Sequence, residues 1–108
     1  MTMVTVTAFF ADEEEARAVG RTVVEERLAA CANIGGAVHS IYHWQGAIEK
    51  ADEVAASFKT TEAVANVLIA RIVELHSYDV PCVYSSPASE VAPAYADWVE
   101  ANVRVSGV

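Results

Sequence analysis

Residues 31–60 read CANIGGAVHSIYHWQGAIEKADEVAASFKT, two extended runs on either side of a two-residue turn. Val38, Ile41, Tyr42 and Trp44 are strand formers, and Gln45-Gly46 is the turn signal between them and the second run. Gly35-Gly36 predicts a bulge or kink early in the first strand. In the second run Ile48, Val54, Ala56 and Phe58 share one face, while Glu49, Glu53 and Lys59 share the other. Each strand reaches about 13 residues, long for a small domain.

Upstream, MVTVTAFF (3–10) predicts a strand of β-branched and aromatic residues. A helix is expected from Asp12 to about Ala30, with Asp12 and Glu15 as a capping box and Ala16, Val19, Val23 and Leu28 on its apolar face. Downstream, Thr60 or Thr61 opens a second helix in which Val64, Val67, Leu68, Ile72 and Leu75 recur at helical spacing. HSYD (76–79) ends it, VPCVYSS (80–86) follows as a short strand, and Pro93 opens a last helix packed by Tyr95, Trp98 and Val99. The order β-α-β-β-α-β plus a tail predicts an α+β, ferredoxin-like sandwich, one domain over 1–108. The hairpin overshoots its neighbours by nearly 20 Å at ~3.3 Å per residue. Long open edges are rarely left bare, so the hairpin is expected to pair with neighbouring subunits.

The formal charge of −8 over 108 residues, with pI near 4.6, excludes the basic stripe that nucleic acid needs. MTMVTVTAFFADEEE lacks the basic flank of a secretion signal, and no run approaches the ~18 apolar residues of a membrane span. A soluble, cytoplasmic protein is the expectation. Cys31 and Cys82 fit no disulfide framework, and their strands should occupy opposite sheet edges, about 14 Å apart.

Histidine, carboxylate and thiol crowd into HSYDVPC (76–82). His76 sits at a helix end, where either the helix dipole or ligand binding accounts for it. Asp79 can cap, accept a backbone bond or coordinate a cation. His39 and His43, about 13 Å apart on an extended strand, cannot share one metal. Cys31 and Cys82 are each either a small buried filler or a thiol ligand. No nucleophile elbow, P-loop or zinc-finger spacing is present, so no catalytic residue is expected.

Four segments in order, ERLAACAN (26–33), SIYHWQGAI (40–48), FKT (58–60) and HSYDVP (76–81), resemble the CutA divalent-cation-tolerance family. The resemblance implies a PII-like homotrimer that binds divalent metals, copper before zinc, without turnover and without an organic cofactor. It implies an inter-subunit cleft lined by Cys31, Tyr42, Trp44, Lys59, His76, Tyr78 and Pro81. His76, Cys31 and Asp79 are then the expected metal ligands, and Tyr42, Trp44, Lys59, Tyr78 and Pro81 the cleft residues. Similar proteins usually carry proline and glutamate where Ser77 and Asp79 stand, which loosens the turn and shortens the carboxylate's reach. The competing expectation is a PII-like sensor of small organic anions, with Lys59 as the anion contact.

Overall fold

The computed structural model describes residues 2–104. Strand β1 (Met3–Phe10) alternates as read, with Val4, Val6, Ala8 and Phe10 buried against the helices. Helix α1 (Glu13–Glu25) begins where Asp12 accepts the Glu15 amide at 2.8 Å. The return half of the box is displaced: Glu15 Oε1 accepts from Ala11 N at 3.4 Å and spends its stronger bonds on Ser77.

Helix α1 stops five residues short of the expected Ala30. Arg27 takes φ 64°, the Leu28 amide returns to the Val23 carbonyl at 3.0 Å, and the Arg27 amide to Val24 at 3.0 Å. This closing motif usually recruits glycine, and here the burial of Leu28 against the core holds an arginine in the left-handed region. Leu28 is therefore a core residue beyond the helix, not part of its face.

Strands β2 (Cys31–Trp44) and β3 (Ala47–Thr61) form the long hairpin, closed by Gln45 (φ 50°) and Gly46 (φ 82°). Both turn residues lie at positive φ, the geometry that matches strand twist. The register slips once, between Ile34 and Ala37, where the two glycines lie. Helix α2 (Glu62–Leu75) buries Val64, Leu68 and Ile72, whereas Val67, expected on that face, is exposed. Strand β4 spans only Val83–Pro87, leaving Pro81 and Cys82 in the preceding turn. Helix α3 (Pro93–Asn102) packs through Val99, with Tyr95 and Trp98 substantially exposed.

The sheet order β2-β3-β1-β4, all antiparallel, is ferredoxin-like and puts the two cysteine-bearing segments on opposite sides, both thiols free. Helices α1 and α2 cover one face, whose core runs through Phe10, Phe58, Leu68 and Ile72. On the other face Tyr95 of α3 reaches Cys31, which lies opposite Lys59. Pairing of β1 with β3 ends at Phe10↔Val54, so among the described residues Ala47–Glu53 run on without a partner on that side. The overhang stretches the molecule to 44 × 29 × 22 Å, with a radius of gyration of 14.4 Å against ~13 Å for a compact chain of this length.

One ion pair fastens the end of α1 to α2. Arg71 donates to both oxygens of Glu26, at 2.9 and 2.8 Å, and to Glu74 at 2.6 Å. The Arg71 bonds hold the Glu26 carboxyl below the usual glutamate range. A depressed carboxylate contributes stability that is present above its unfolded pKa and lost as pH falls through the folded one. Arg71→Met should therefore lower the urea midpoint at pH 7, and the gap to wild type should close in strongly acidic buffer. A gap independent of pH would mean that the arginine acts through packing alone.

Candidate functional site

The HSYDVPC turn crosses the end of β1 beside the overhanging hairpin, and His76 anchors it. The imidazole is buried and stacks on Phe10 with ring centres 4.6 Å apart and planes 11° from parallel. Nε2 bonds the Phe9 carbonyl at 2.7 Å, and the Tyr78 amide donates to Nδ1 at 3.1 Å. These two bonds together require the neutral ring with its proton on Nε2. Both nitrogens are thus spent inside the chain. As placed in the single chain, the ring has no lone pair facing solvent.

Glu15 continues the network by accepting from the Ser77 amide (2.8 Å) and hydroxyl (3.0 Å). Ser77, where the resemblance led proline to be expected, thus ties the turn to the start of α1. Tyr78 donates its hydroxyl to Glu53 at 3.0 Å, joining the turn to the hairpin. Burial, then the bond to Glu53, push its phenol up to about 12.

Between the turn and the hairpin lies a groove of about 590 Å³. Tyr42, Trp44 and Tyr78 give it aromatic walls, while Asp79, Glu53, His43 and Cys82 add polar groups. The glycine bulge makes this possible. Cys31 and Asn33, at odd positions, lie opposite Lys59 and Ser57 on the face away from α1 and α2. After the one-residue slip it is the even positions, Ser40, Tyr42 and Trp44, that lie on that same face.

The expected residues therefore divide. Tyr42, Trp44, Tyr78 and Asp79 come together in the groove. Pro81 is half-buried in the turn outside its lining, and His76 lies behind the wall. Lys59 donates to Asn33 Oδ1 at 2.9 Å and Ser57 Oγ at 3.3 Å, away from the groove. Cys31 lies on the same sheet face but outside the groove lining, opposite Lys59 and about 20 Å along the strand from Glu53; it sits 3.5 Å from the Tyr95 hydroxyl, and its thiol pushes that phenol up to about 12. Among the described residues no three His, Cys, Asp or Glu side chains gather closely enough to hold one ion, so His76, Cys31 and Asp79 make no site within a single chain. Cys82, weighed as a filler or a thiol ligand, proves to be an exposed lining residue, and Phe9, His43 and Glu53 are lining residues not expected there. For His43 and Glu53 the signal was the hairpin register, which requires the bulge to be placed first.

A ferredoxin-like domain with an overlong hairpin and an aromatic-walled, acid-bearing groove along its overhang defines a class of small α+β proteins. Residues 2–102 match the family model described as CutA1 divalent ion tolerance protein. The divalent-cation tolerance protein CutA of Thermus thermophilus is 41% identical over 90 residues, covering 83% of this chain and 87% of that protein. That of Pyrococcus horikoshii is 40% identical over 97 residues, covering 90% and 94%. The solved structure of the Thermus thermophilus protein superposes with a TM-score of 0.90 at 37% identity, covering 94% of this chain and 99% of that one. The chain belongs to the CutA1 divalent ion tolerance family.

Proposed function

We propose that this chain assembles as a homotrimer and binds divalent cations, copper before zinc, at the subunit boundary beside the hairpin, as a cytoplasmic homeostasis or signalling protein without turnover. The observation that carries this reading is the groove itself, where Asp79 and the exposed Cys82 stand beside Tyr42 and Trp44 at the foot of an unpartnered ribbon. Thiolate and carboxylate together suit a soft or borderline cation, and two donors leave its coordination incomplete. A neighbouring subunit supplies the rest, and Cys31, half-buried and free, is the donor available for it. His76 serves by holding the turn rather than by ligation. The aromatic walls favour a second occupant, a small organic molecule, although Lys59 is engaged elsewhere.

Native mass measurement with a copper titration tests both halves. A threefold mass with saturable binding, weakened at least tenfold in Cys82→Ser and Asp79→Asn and at acid pH, is the expected result. A mass of one chain overturns the assembly. Undiminished binding by both variants reduces the metal to adventitious surface sites.

A further inference from the structure

We propose that the groove between the hairpin and the HSYDVPC turn binds a small organic cation of the quaternary-ammonium class. The inference deepens the reading above, resting on it for the place of the site and not for the metal. Tyr42 and Trp44, two apart on β2, point to one sheet face about 6.6 Å from each other along the strand, and Tyr78 joins them from the turn. Both hairpin rings are 41% exposed, and among the described residues neither stacks on another ring. Their faces are left for an occupant. The electron-rich face of such a ring attracts a cation held within about 6 Å of its centre.

The charge around these rings has one sign. Glu53 and Asp79 line the groove, and among the described lining residues there is no lysine or arginine. Glu49 stands directly opposite Tyr42 in the ladder and so shares its face. Lys50 pairs with Ile41 and points to the other face, while Lys59 is held by Asn33 and Ser57. An organic anion would meet carboxylates alone. Tyr78 donates its hydroxyl to Glu53 Oε2 at 3.0 Å, which fixes that carboxylate against the aromatic wall.

Size and hydration narrow the class. A groove of about 590 Å³ falls in the range of small-molecule sites and far exceeds the space of one metal ion with ~2 Å bonds. A primary ammonium is a compact, strongly hydrated charge that needs acceptors for three donors. A quaternary ammonium has no N–H to satisfy and spreads its charge over methyl groups. Those methyls suit ring faces and the apolar Val80 side chain, with Glu53 and Asp79 balancing the charge. The chain's formal charge of −8 draws such a ligand in from a distance.

The sequence has two tryptophans, so Trp98→Phe leaves Trp44 as the sole reporter. The test titrates this full-length variant with choline chloride, in a chelator and at fixed ionic strength, while Trp44 emission is followed. A saturable change is the expected result. The uncharged alcohol 3,3-dimethylbutan-1-ol, which has the same shape, should bind roughly tenfold more weakly. Tyr42→Leu and Glu53→Gln, each added to the reporter variant, should weaken choline at least threefold. A silent Trp44, as when a neighbouring subunit fills the groove, overturns the proposal. So does equal binding of the neutral alcohol, or undiminished choline binding in both added variants. Copper titration of the same reporter variant separates the two readings: copper without choline overturns this inference alone, and choline without copper overturns the metal alone.

Discussion

His76→Ala is expected to destabilise the protein by about 3 kcal/mol, the combined effect of a buried ring removed and two hydrogen-bond partners abandoned. The side chain is 0% exposed, stacked on Phe10, and bonded to the Phe9 carbonyl and the Tyr78 amide. Alanine keeps none of these contacts, leaving a cavity beside Phe10 and an unpaired carbonyl at the end of β1. For a domain of this size the loss corresponds to a fall of roughly 15 °C in the thermal midpoint. The fall should be the same in a strong chelator as without it, because the ring works through packing and backbone bonds. A shift of only a degree or two, or one that appears only when metal is present, would return His76 to the donor set and contradict the buried geometry. Tyr78→Phe, which removes just the bond to Glu53, is the milder companion.

The two roles left open for His76 show what a linear chain conceals. Histidine, aspartate and cysteine within seven residues look like ligands because the sequence displays donors but not their neighbours. Phe9 lies 67 positions away, and its carbonyl decides the role of the ring. The framework was far more legible. Alternation in MVTVTAFF, the Asp12 cap and the Gln45-Gly46 turn are local signals, and each appears as read. The end of α1 was not legible, because Arg27 occupies a left-handed position that no glycine announces and tertiary burial of Leu28 enforces it. The groove was half legible. Tyr42 and Trp44 stood out by type, but simple alternation across the glycines would place Cys31 on the face opposite them. Only the slip between Ile34 and Ala37 brings odd and even positions to one face.

The hairpin carries the largest expected effect. Replacing residues 38–53 with a two-residue Asn-Gly turn between Ala37 and Val54, which already face each other in the ladder, should yield a folded single chain in place of the proposed trimer. The excised segment holds Ile41 (72% exposed), Ile48 (60%), Tyr42 and Trp44 (41% each), large apolar groups that a free monomer would present to water on a ribbon with no covering layer. The core around Phe10, Phe58, Leu68 and Ile72 lies outside the segment, and all pairing between β1 and β3 stops at Val54. Secondary structure elsewhere should therefore persist in circular dichroism while light scattering reports one chain's mass. Copper binding should disappear with Tyr42, Trp44 and the neighbour's donor, although Asp79 and Cys82 remain in place. A shortened protein that keeps the wild-type mass would locate the subunit contacts on the β4 edge or the sheet face instead. Retained copper affinity would show that Asp79 and Cys82 suffice without a second subunit.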